Sequence, residues 1–273
     1  QGRETMQISK KQALAAVFSG LLALSTLPAR AHFQEILPSD DVLPDGGTVS
    51  LELIFTHPME GGPVMEMKRP KRVGALINGK TIDLSAKLKP IKKQGLGAWT
   101  LTHDLKEPGV AIFFVEPEAY WEQAENKWIV HYSKVVVDSF ASGKGWDEKI
   151  GLPVEIEPLT RPTGLWTGNL FRGVVLKDGK PVPFADVEVE FVNDGLVKAP
   201  NDAFITQVIK ADANGTFAYA MPRAGWWGFA ALIEDDKPAK SPDGKPAKTE
   251  LGGLIWVKAT DMTGARSPAT RGK

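Results

Sequence analysis

No cysteine occurs anywhere in the 273 residues. That absence excludes disulfides, thiolate metal sites, iron–sulfur clusters and cysteine nucleophiles together. A chain of this length can be stable without cross-links, since it can bury two separate cores. An excess of one charge is also missing: Lys and Arg total 33 and Asp and Glu total 33. No strong field therefore points to nucleic acid or an acidic membrane. No nucleotide-binding glycine loop occurs, and Gly-x-Ser-x-Gly and His-Glu-x-x-His are both lacking, which leaves hydrolase chemistry without a motif. Asp212-x-Asn214-Gly215 opens like a calcium loop, but no acidic residue closes it at the required spacing, so it reads as a hairpin turn.

No apolar run reaches transmembrane length. The longest, Ala13 to Leu24, follows Lys10 and Lys11 and precedes Pro28 and Ala29-Arg30-Ala31. A cationic start, a short apolar core and an Ala-x-Ala end define a secretory signal peptide over residues 1–31, cut after Ala31. The expected product is periplasmic. Residues 1–31 hold four basic residues and one acidic residue, which leaves 29 and 32 in the mature chain, a formal charge of −3. Cleavage there makes His32 the first residue. A free α-amine and an imidazole nitrogen on one residue can chelate a single ion, and both deprotonate near neutrality.

What is present is strand pattern. Thr48–Phe55 alternates apolar and polar residues and runs into the turn-rich loop Thr56–Pro63. Val73–Ile77, the Asn78-Gly79 turn, Ala98–His103 and Val110–Glu116 add further strands. Residues 118–140 fit a helical face through Trp128, His131, Tyr132 and Val135, yet Val130 and Val135-Val136-Val137 favour a strand. The strand reading puts Ile129, His131, Ser133 and Val135 on one face. In the second half, Phe171–Leu176 with Ala185–Val192, and Thr206–Lys210 with Thr216–Met221, read as hairpins, and Trp226–Ile233 and Leu254–Val257 complete the set. Asp236–Glu250, rich in Lys and Pro, reads as a solvated loop or hairpin tip. The expectation is an all-β protein of two β-sandwich domains. An Ig-like sandwich spans 32–158, an Ig-like or transthyretin-like one spans 159–259, and 260–273 form a tail.

The four histidines are His32, His57, His103 and His131. His57 follows a strand directly. His131 lies in a stretch that holds Glu116, Glu118, Tyr120, Trp121, Glu122 and Trp128. His103 ends a strand beside Asp104, which can hydrogen-bond it. Imidazoles suit Ni, Cu, Zn and Co, and without thiolates the donors are nitrogen and oxygen. Met59, Met65 and Met67 are soft thioethers close in sequence to His57 and keep Cu(I) open.

The segments His32-Phe33, Phe55-Thr56-His57-Pro58-Met59-Glu60-Gly61-Gly62, Tyr120-Trp121-Glu122, Trp128–Val137 and Gly151-Leu152-Pro153 through Arg161-Pro162 resemble an exported family. Its members are associated with nickel and cobalt uptake by energy-coupling-factor transporters. The likeness extends through Asp178-Gly179-Lys180-Pro181 and Asn214-Gly215-Thr216-Phe217, so it covers nearly all the mature chain. It implies a periplasmic nickel-binding component, with His32, His57 and His131 in the matching segments. The first third also resembles small periplasmic copper carriers with an N-terminal histidine. The expectation is therefore a non-enzymatic binder of Ni(II), with Cu(II) and Co(II) as alternatives. Its ligands are His32, His57 and His131, and its partner is a membrane-embedded transporter component. The rivals are a copper carrier, a structural or polymer-binding Ig-like module, and an oxidative copper enzyme with a histidine brace.

Overall fold

The computed structural model describes residues 32–262, so the expected leader, and the expected tail from 263 on, lie outside the described residues. Among them there is no α-helix, only two single turns of 3-10 helix, and no helix long and apolar enough to cross a membrane. The principal strands are β1 (Phe33–Pro38), β2 (Gly47–Thr56), β3 (Arg72–Ile77), β4 (Leu96–Leu105) and β5 (Gly109–Glu116). They continue with β6 (Tyr120–Glu122), β7 (Lys127–Ser139), β8 (Val154–Pro158), β9 (Leu170–Lys177) and β10 (Asp186–Phe191). The last are β11 (Gln207–Lys210), β12 (Thr216–Ala220), β13 (Gly225–Glu234) and β14 (Pro246–Thr260).

One long sheet runs through both halves of the chain in the order β11-β10-β13-β14-β7-β5-β3. A smaller antiparallel sheet, β1-β2-β4, packs on it to form the first core. There Leu51, Leu53 and Leu101 meet Val73, Phe113, Val135 and Trp256. A third sheet, in which β9 pairs with both β8 and β12, packs on the other half to form the second core around Ile156, Phe171, Phe217 and Phe229. Both cores draw on β14. Leu254 and Trp256 enter the first core, and Ile255 and Val257 enter the second. Successive side chains on a strand point to opposite faces, so the two small sheets lie on opposite faces of the long one. A strand buried on both sides reads as an unbroken apolar run, as Leu254–Val257 does.

The structure departs from the sequence pattern in two places. Of the two expectations for 236–250 the hairpin tip holds and the loop does not: Ala239 and Lys240 pair with Ala247 and Pro246, and Lys248, Thr249 and Glu250 belong to β14. Their charges are satisfied across strands, Lys248 by Glu234 and Glu250 by Lys127, so polarity there marks cross-strand pairing. The strand ahead of the expected join after Pro158, β8, pairs with β9 beyond it. The stretch 118–140 forms the antiparallel hairpin β6–β7, as its β-branching favours.

β7 is buried on both faces. Ile129, Val135 and Val137 enter the first core, while Lys134 points the other way and meets Glu155 of β8 at 2.5 Å, both buried. Burial would raise the Glu155 carboxyl, but Lys134 and the amides of Ile150 and Gly151 outweigh it and hold it below the usual range. Removing one member of such a pair strands a charge in the interior. We expect Glu155→Leu to lower the unfolding free energy by about 3–5 kcal/mol in urea titrations. The double variant Lys134→Met/Glu155→Leu should recover part of that loss. A double variant worse than the single would show that the pair is not the source of the effect.

Candidate metal centre

The ladder of β1 and β2 pairs Phe33 with Thr56. Continued by one step, that antiparallel register sets His32 across from His57. Their ring centroids lie 4.6 Å apart, and both residues are buried. Phe55, two residues before His57 and so on its face of β2, stacks on His32 at 5.5 Å and meets His131 edge-on at 6.1 Å. Tyr120 closes over His32 and Phe55 from the β6–β7 hairpin. The three sequence-predicted histidines thus border one aromatic cluster.

His131 owes its place to the parallel pairing of β7 with β14, in which it sits opposite Gly252. A Cβ on Gly252 would lie 2.4 Å from His131 Cδ2 and 2.9 Å from its Nε2, so only glycine admits the ring there. Gly253 has its own constraint, since a Cβ would meet the backbone of Val154 and Glu155 at 2.8 Å.

Each of two imidazoles turns Nε2 to a carboxylate: His32 to Glu122 at 3.0 Å, and His131 to Glu250 at 3.2 Å. Burial would raise Glu250, but His131 and Lys127 outweigh it and take its carboxyl down to about 2. An ionised carboxylate only accepts, so Nε2 of His131 donates to Glu250, and in the neutral ring Nδ1 keeps a lone pair. That Nδ1 is buried and has no hydrogen-bond partner. Burial, and then His57 and His131, push His32 down to about 3. Its contact with Glu122 is therefore a hydrogen bond from a neutral ring, not an ion pair.

The other sequence candidates go elsewhere. His103 sits across from Val49 in the β2–β4 ladder. That is eight residues along β2 from His57, or about 26 Å at roughly 3.3 Å per residue. Its partner is Lys87 Nζ at 3.0 Å, not the expected Asp104, which accepts from Thr48 instead. Met59 is buried in the second core, and Met65 and Met67 in the first. Among the described residues, no three His, Asp or Glu side chains already stand around a common point as ligands do; two of the ring nitrogens are taken by carboxylates. Sequence reasoning missed Glu250 because its charged surroundings read as a loop, and missed Gly252. A Gly-Gly pair inside an apolar strand was the available signal, since it marks a close approach.

Two outcomes follow from this packing. We expect Gly252→Ala to cost about 1–3 kcal/mol, the usual range for overpacking, and to remove the His131 Nε2–H resonance from the NMR spectrum. For His32, the folded value of about 3 lies below the ordinary 6.5. The stability its neutral form contributes is present above pH 6.5 and lost as pH falls towards 3. The loss should approach about 1.4 kcal/mol per pH unit. Urea midpoints of the wild type should therefore fall faster than those of His32→Gln across that window, and parallel curves would contradict the assignment.

Comparison with solved structures finds remote likenesses. The Yersinia pseudotuberculosis adhesin InvE is 15% identical over 81% of this chain and 58% of its own, at a TM-score of 0.23. Dimeric latent PorU from Porphyromonas gingivalis is 13% identical over 84% of this chain and 20% of its own, at 0.21. A Ca2+-stabilised adhesin with which an Antarctic bacterium binds ice is 14% identical over 85% and 50%, also at 0.21. This chain spans less than two thirds of each, and at such TM-scores the likenesses carry no argument. No curated protein matches. The family model described as a domain of unknown function, DUF4198, matches residues 29–235, well over half of the sequence, and the chain belongs to that family.

Proposed function

We propose that the chain is exported, cut after Ala31, and binds a divalent transition-metal ion, nickel foremost, through His32, His57 and His131 for delivery to a membrane transporter. The observation that carries this reading is Nδ1 of His131, a buried lone pair with no partner, on a ring whose other nitrogen is committed to Glu250. A buried polar atom left unsatisfied is costly, and an ion is a partner that would satisfy it. Metal-ligating histidines commonly donate their second N–H to a carboxylate, which fixes the tautomer and strengthens the ligand. Glu250 and Glu122 stand in that relation to His131 and His32. A neutral His32 also needs to shed no proton on binding at neutral pH.

In the uncut chain the His32 nitrogen is a peptide amide and a poor ligand. Cleavage turns it into a primary amine. With Nε2 facing Glu122, Nδ1 is left to close a six-membered ring through the metal, Nδ1, Cγ, Cβ, Cα and the amine. Nitrogen-rich sites of this kind suit Ni(II) and Cu(II). The burial of Met59 in the second core leaves it out of any thioether-rich copper site.

Calorimetric titration of Ni(II), Cu(II) and Co(II) into the mature protein, beside a form with one extra N-terminal residue, tests the reading. The extended form should bind Ni(II) at least 10–100-fold more weakly, the scale of loss when even supporting groups are removed. His131→Ala should weaken binding by a similar factor, while His103→Ala should stay within about threefold. Equal affinities for the cut and extended forms would remove the chelating terminus from the mechanism.

A further inference from the structure

A cavity of about 440 Å³ opens beside the histidines. Its walls include Phe55, Met67, Tyr120, Trp121, Trp128 and His131. Trp121 and Trp128 pack edge to face at 5.0 Å and are only half-buried, while Trp128 Nε1 is tied to the Lys240 carbonyl. Phe55 and Tyr120 are the same rings that stack against His32. The cavity and the candidate metal centre therefore share three walls: Phe55, Tyr120 and His131.

Glu66, Lys68 and Glu118 also border the cavity, but its walls are mostly apolar and the rings offer a hydrated ion nothing. A water occupies about 30 Å³, and stripping polar water against apolar rings is unfavourable. Mostly apolar, aromatic-lined pockets of this size are the usual form of small-molecule sites, and half-buried tryptophans offer flat faces for stacking. The three histidines and the amine supply at most four donors, which leaves positions on a six-coordinate ion for a second ligand.

We propose that this cavity receives the organic part of a metal complex, so that the cargo is the ion held by a small planar chelator and not the hydrated ion alone. The proposal rests on the metal-binding reading above and specifies the substrate class of the same site. The chelator lies flat against Trp121 and Trp128 and directs its donors towards the histidines. The ion bridges the two.

The test uses the mature protein and 2,2′-bipyridine as a planar aromatic chelator. Hydrated Ni(II), the 1:1 Ni(II)–bipyridine complex and bipyridine alone are each titrated by calorimetry and tryptophan fluorescence. The complex should bind at least tenfold tighter than hydrated Ni(II). Trp121→Ala, and separately the cavity-filling Ala119→Phe, should abolish that gain yet leave hydrated Ni(II) affinity within threefold. If hydrated Ni(II) binds but bipyridine merely competes for it, the chelate proposal is overturned and the histidine reading stands. A gain that survives both variants likewise overturns the cavity assignment. If the complex binds in a Trp121-dependent way while hydrated Ni(II) does not bind, the cavity stands and the three-histidine site falls. Binding of neither form overturns both.

Discussion

The parallel ladder between Lys127–Ser139 and Pro246–Thr260 is the contact on which the rest of the molecule depends. Parallel strands need a long crossover, and here the crossover is the whole second sandwich, inserted between the two partners. The ladder makes one sheet out of two halves and forces the later strand to serve both cores. It also admits side chains at fixed places only. Gly252 leaves room for an imidazole and Gly253 lets Val154 and Glu155 approach. Trp256, fully buried, then donates from Nε1 to Gln34 O and Ser133 Oγ. That last group ties the start of Phe33–Pro38, and so His32, to the same ladder that carries His131.

The electrostatics follow from this placement. At His32, burial and the neighbouring His57 and His131 both oppose the cation. His32 is accordingly held neutral. Negative charge is supplied from the outer side, where Glu250 is kept ionised by Lys127 and His131. Two of the three rings, His32 and His131, are thus backed by carboxylates. Such an arrangement is poorly satisfied by protein alone and suited to a cation.

Much of this was legible in the sequence, and the part that was not has a physical cause. Alternation from Thr48 to Leu53 revealed a half-buried strand, and the β-branched run Val135-Val136-Val137 decided strand over helix. The share of β14 that lies beyond the core was hidden, since Lys248 faces solvent and Glu250, largely covered, pairs across strands with Lys127. The join between the halves was hidden for another reason. Pairing partners more than a hundred residues apart leave no local periodicity, so the single long sheet could not be inferred from pattern. Histidines at 32, 57 and 131 stood out by their segments, but the register that sets the first two across from each other becomes visible only once Phe33 is known to face Thr56.

On the proposed reading, the order of events in the cell is written into the chain. The internal histidines and their carboxylates are built by folding alone, whereas the amine of His32 exists only after a peptide bond has been cut. A bidentate ligand loses less freedom on binding than two separate ones, for the reason that any preorganised group binds more tightly. Cleavage therefore adds the donor that converts a weak set of three imidazoles into a chelating centre, and it does so on the far side of the membrane. The same residue is locked by packing before it binds anything: Phe33 is buried against Trp256, and Phe55 and Tyr120 enclose the His32 ring. Processing then changes the chemistry of the terminus without having to move it, and a site with little left to reorganise can discriminate by donor geometry.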